Sequence, residues 1–196
     1  MATAAIARLD KIWKASNISF AAKNKLYKAL VVSVLLHCCE IWTLLAETER
    51  KTQAFEMKYM RRLLHITYHE HKTNEYVRQV VRNIVGPQEP LLATVKRRKL
   101  QWFGHVTRHD NLAKTILQGT LEGGRRRGRQ RKSWQDNIAE WTSLSLSERL
   151  AAARNRRAWR QISIFTATLS PQRPGGQGTR QTGEGAKSAR ANFDIV

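Results

Sequence analysis

The sequence is nearly without cysteine. Cys38 and Cys39 are the two it has, and adjacent residues are poorly placed to bridge each other, so no disulfide framework is expected and a reducing, intracellular compartment, nuclear or cytoplasmic, fits best. Long apolar runs are also missing. The longest uncharged stretch of the apolar region, Ala29 to Cys39, has eleven residues, against roughly 20 for a helix that crosses a bilayer. The start, "MATAAIARLDKIWK", holds no apolar stretch long enough for a signal peptide. Acidic residues are scarce: 15 Asp and Glu stand against 35 Lys and Arg, a formal net charge of +20. Such an excess favours a polyanionic partner, nucleic acid ahead of an anionic membrane.

Catalytic signatures are lacking too. Phosphoryl or nucleotidyl transfer needs carboxylates that share divalent metal, yet the four aspartates, Asp10, Asp110, Asp136 and Asp194, are widely separated. No phosphate-binding glycine loop, nucleophile elbow or metalloprotease helix motif occurs. His37, Cys38 and Cys39 would point about 100° apart on a helix and cannot converge on one ion. His65, His69 and His71 read as exposed or hydrogen-bonded imidazoles. The expectation is a binding protein with no catalytic residue, no metal and no cofactor.

What is present is helical pattern, and 41% hydrophobic residues suffice for a core. Tyr27, Val31, Val34, Cys38, Ile41 and Leu45, at spacings of four, three, four, three and four, predict one long helix behind an N-cap at Ser19. A second helix is expected from about Thr48, with Phe55, Tyr59 and Leu63 inward and Arg61 and Arg62 near its end. A third runs from about Asn74 to Ile84, capped by Thr73 or Asn74 and stopped by Gly86-Pro87. A fourth, "PLLATVKRRKLQWFGHV", has an apolar face and a back of Lys96, Arg97, Arg98 and Lys99. "LAKTILQGT" could be a turn of helix or a short strand. Helix resumes behind Ser133 with Trp134, Ile138 and Trp141 on one face, and the last begins at Ser147 with Leu150, Ala153 or Arg154, Trp159 and Ile162. The result is an all-α, irregular assembly of about six helices with a basic Gly/Arg-rich arm at 122–133. From Ser170 onward Pro, Gly and polar residues predict a disordered tail, 170–196.

The charge is local. Residues 96–132 hold twelve Lys and Arg and two acids, and such a block repels itself unless phosphates or counter-ions lie against it. Within it, "EGGRRRGRQRKSW" at 122–134 packs Arg125, Arg126, Arg127, Arg129, Arg131 and Lys132 beside glycines that let backbone approach closely. Arginine forks grip phosphate oxygens in bidentate fashion. These six, with Lys96, Arg97, Arg98, Lys99 and Arg108, are the candidate nucleic-acid-binding residues. A nuclear-import signal served by the same run and a merely flexible linker are its other readings. Five of the six tryptophans read as core. Trp134, which ends the run, is the candidate to stack on a base or an arginine.

The segments "NISFAAKNKLYKALVVSVLLHCCEIWTL", "AFEMKYMRRLL", "TNEYVR", "VKRRKLQWFGHVTR", "LAKTILQGTLEGGRRRGRQRKSWQDNIAEWTSL" and "NRRAWR", in that order, resemble the region that follows the polymerase core in LINE-type (non-LTR) retrotransposon endonuclease/reverse transcriptases. The likeness covers roughly residues 4–173 and departs from the family at His69-Glu70, Ser133 and Arg154. It implies a thumb-like region at 1–86, which would cradle a template–primer duplex, and a basic helical region at 87–169 that would contact element RNA or target DNA. The family's palm aspartates and endonuclease site lie upstream, so no catalytic residue carries over. The implied partners are nucleic acid and the rest of such an enzyme. The competing reading is a helical relic of a decayed mobile element, without binding activity.

Overall fold

The computed structural model describes residues 2–110, 112–118 and 132–168. Every regular element among these residues is helical, with no strand among them. In chain order they form α1 (Ala2–Arg8), α2 (Asp10–Lys14), α3 (Phe20–Leu26), a π-helical stretch (Tyr27–Val32), α4 (Ser33–Leu35), α5 (Ala46–Leu63), α6 (Asn74–Val85), α7 (Leu91–Arg108), α8 (Leu112–Gln118), α9 (Trp134–Thr142), α10 (Leu146–Arg154) and α11 (Arg156–Thr168). Short 3-10 turns lie at Cys39–Ile41 and Tyr68–Glu70.

The segments outnumber the six helices expected from the sequence, for local reasons. The helix capped by Ser19, whose hydroxyl accepts from Ala22 N, stops at Leu35. Beyond it Cys38 takes a left-handed conformation, φ 53°. The expected stripe is therefore correct at Tyr27 and Val31, which are buried, and wrong at Val34, Cys38, Ile41 and Leu45, which are exposed. Leu36, Cys39 and Leu44 turn inward instead. The last expected helix is two. Ser145, not Ser147, opens α10 through a reciprocal capping box with Glu148, and Asn155 then caps α11, its Oδ1 accepting from Arg157 N at 3.0 Å and Ala158 N at 3.2 Å. "LAKTILQ" is helical, and the N-terminal residues add α1 and α2, which bring Trp13 into the core.

Three apolar clusters hold the assembly, and α7 threads two of them. Its N-terminal half sets Leu91, Leu92 and Val95 against Leu36, Cys39 and Leu44, so one core draws on both sides of residue 86. Its C-terminal half sets Leu100 and Phe103 against Ile138, Ala153 and Trp159. The third cluster joins Trp13, Tyr27, Val31, Tyr59 and Leu63, with Tyr27 and Tyr59 stacked and Trp13 edge-on to Tyr59. The first amide of α7 finds its acceptor at long range: Glu56 of α5, buried, takes the Leu91 N–H at 3.1 Å. A carboxylate there suits both the unpaired amides and the positive end of the helix dipole. No helix among the described residues is long and apolar enough to cross a membrane.

Candidate nucleic-acid interface

The α7 cations do not form the open cationic back expected of them. Lys99 is fully buried and Lys96 nearly so. Lys99 Nζ donates to Trp42 O at 2.9 Å and to Asn137 Oδ1 at 2.8 Å, and it lies 4.7 Å from the Trp134 ring centroid and 5.3 Å from that of Trp141. Lys96 Nζ sits 5.2 Å over Trp141. The Lys99 ammonium is satisfied by carbonyl oxygens and aromatic faces, and that of Lys96 lies against an aromatic face. Burial pushes the Lys99 amine down to about 7, and the nearby Lys132 charge adds to the shift.

The remaining members of that set have partners as well, although Arg98 stays exposed. Arg97 makes a two-pronged ion pair with Glu89, Nε and Nη2 each at 2.9 Å from a carboxylate oxygen, which holds Glu89 below the usual carboxylate range. Arg98 donates to Leu36 O at 3.3 Å and Arg108 to Ala153 O at 2.8 Å. Lys132 pairs with Glu140. Trp134 is half-buried: its indole N–H donates to Glu40 O at 2.8 Å, and its ring packs on Trp102 and Phe103. Arg125, Arg126, Arg127, Arg129 and Arg131 lie outside the described residues.

A different cationic surface stands between α5 and α6. A groove of about 910 Å³ is walled by Arg50, Lys58, Arg61 and Arg62 from α5, by Lys72 from the connecting loop and by Arg78 from α6, with Tyr68 and His71 at the Tyr68–Glu70 turn; no carboxylate is among its described lining residues. Arg50, Lys58 and Lys72 are exposed. Arg61 braces the connection by donating to Lys72 O at 3.0 Å, Arg62 pairs with Asp10 from α2, and Lys72 Nζ lies 4.9 Å over the Tyr76 ring. An acid-free concave wall of this kind focuses positive potential on whatever enters it.

Counting charge by segment hides this surface. Residues 47–95 carry eight Lys and Arg and six acids, close to balance. Helical spacing separates them in space, because Arg50, Lys58 and Arg61 share one stripe of α5 while Glu56 turns into the core beneath α7. That stripe is the signal from which the groove was legible. His65, His69 and His71 are exposed, and among the described residues no three His, Cys, Asp or Glu gather as metal ligands. Comparison with family models, curated proteins and solved structures finds no match to the chain.

Proposed function

We propose that the chain is a nucleic-acid-binding segment of the kind that follows the polymerase core in non-LTR retrotransposon reverse transcriptases. It would hold the backbone of element RNA or target DNA and carry no polymerase or endonuclease centre of its own. The observation that supports this most is the groove between α5 and α6, with six cations, one of them paired with Asp10, and no carboxylate among the described residues of its wall. Guanidinium forks grip phosphate oxygens, and such contacts hold and orient a strand without reading its sequence.

The test is fluorescence anisotropy with RNA and DNA of unrelated sequences over a range of salt. Binding to all of them is expected, with a log–log salt slope of about 0.7 per phosphate neutralised on single strands and about 0.9 on duplex. Replacing exposed Arg50 and Lys58 by Ala should weaken binding to every sequence and reduce the slope by about one to two. No binding at low salt would overturn the reading and leave the relic. Primer, RNA template, nucleotides and magnesium should give no extension, and any polymerase activity would overturn the view that the active centre lies elsewhere.

A further inference from the structure

The groove has an aromatic residue at its wall that the fold does not use. Tyr68 is 86% exposed, more than the other exposed rings Phe165, at 67%, and Tyr76, at 46%. Its ring contacts are with His69, at 6.4 Å, and His71, at 5.7 Å, both T-shaped, and they leave most of the phenol open to solvent.

The backbone beneath it is fastened. Thr67 and Glu70 close a capping box across the turn, with Thr67 N and Oγ1 donating to Glu70 Oε1 at 2.8 and 3.2 Å. Ile66 N donates to Arg61 O at 3.0 Å, and the Arg61 side chain holds Lys72 O on the other side. His65 and His71, which flank this stretch, both adopt the left-handed conformation, φ 55° and 47°, which costs a residue other than glycine about 1 kcal/mol or more. The turn is thus held in one shape at some cost, with the ring presented beside a cationic wall.

We infer that the groove takes a single strand of nucleic acid, with phosphates along Arg50, Lys58 and Lys72 and one base stacked on Tyr68. This rests on the nucleic-acid reading above and narrows it. Bases in a duplex are stacked on one another and offer no face to a protein ring, whereas a single strand presents every base to such a platform. The size is compatible, because about 910 Å³ lies within the range of roughly 300–1,000 Å³ that a small ligand fills, which suits a few nucleotides.

The experiment uses fluorescein-labelled oligouridylate within the range of about 4–16 nucleotides that a single-strand site spans, its duplex with oligoadenylate, and an abasic oligonucleotide of the same charge. It is run on the full chain and on the chain with Arg125, Arg126, Arg127, Arg129 and Arg131 changed to Ala, so that the groove is read without the arm. Tyr68→Ala should weaken binding of the single strand by about tenfold, Tyr68→Trp should restore it, and neither should alter binding of the abasic strand. Tyr68 is exposed, and an unchanged circular dichroism spectrum verifies the fold of each variant. Equal affinity for duplex and single strand, or indifference of the single strand to Tyr68→Ala, would sink this inference while leaving the broader function standing. Competition by polyglutamate as strong as that by RNA at equal charge would assign the groove to an acidic protein instead. Binding to none of the nucleic acids would overturn both readings.

Discussion

The ε-amino group of Lys99 and the side-chain oxygen of Asn137 lie 2.8 Å apart, both at 0% exposure. Asn137 also clasps one residue by its backbone at both polar groups, accepting from Leu44 N at 2.8 Å and donating to Leu44 O at 2.7 Å. One buried pair therefore ties α7, α9 and the stretch before α5 together. This explains why a lysine of the expected cationic surface is found inside: the segment 42–44 approaches α7 without regular structure, and its carbonyl groups need donors that the core must supply.

Lys99 gives the fold a pH dependence with a definite sign. Its amine is lowered from 10.5 to about 7 in the folded chain, so between these values the unfolded chain binds a proton that the folded one does not. Stability should rise with pH across about pH 7–10, at up to about 1.4 kcal/mol per pH unit, and level off below the folded value, where both states are protonated. Denaturant midpoints measured from pH 6 to 10 should show this for the natural chain, and Lys99→Met should flatten it.

Asn137→Leu should be costly although both side chains branch at Cγ. It leaves Leu44 N and O and one Lys99 donor without their partner in a buried place, and each such group costs about 1–3 kcal/mol. A loss of about 3 kcal/mol or more in urea unfolding is the expected result. A change under 1 kcal/mol would show that water reaches the clasp.

Gly104 is small because Trp159 crosses it. A methyl group added there would meet Trp159 Cδ1 at 2.3 Å and Nε1 at 2.5 Å, and the indole cannot retreat without breaking its 2.7 Å bond to Leu100 O. Gly104→Ala should therefore destabilise by about 1–3 kcal/mol despite its better helix propensity. Combining it with Trp159→Leu should cost less than the sum of the two single changes, as a double-mutant cycle would register.

Changing Arg125, Arg126, Arg127, Arg129, Arg131 and Lys132 to Ala should weaken nucleic-acid binding for all sequences and reduce the salt slope, with thermal stability nearly unchanged. The contribution from Lys132 should be the smallest, since Glu140 already neutralises it. Anisotropy titrations of the variant at several salt concentrations provide the measurement.

The sequence by itself determined the helical class, the caps at Ser19 and Ser133, the stop at Gly86 and the inward placement of Tyr59, Leu63, Ile138 and Trp159. These depend on interactions within a turn or two of helix, where spacing and capping chemistry act directly. Tertiary structure alone decided the fate of the charges. Whether a lysine faces solvent or an aromatic cage depends on which distant segment packs over it: Trp42 and Asn137 cover Lys99, and Glu89 claims Arg97. In the same way, a stretch whose charges nearly balance along the chain becomes a cationic groove once α5 turns Glu56 inward and its basic stripe outward. Charge summed along a sequence is a one-dimensional quantity, whereas the field that a partner meets is set by where the fold places each side chain.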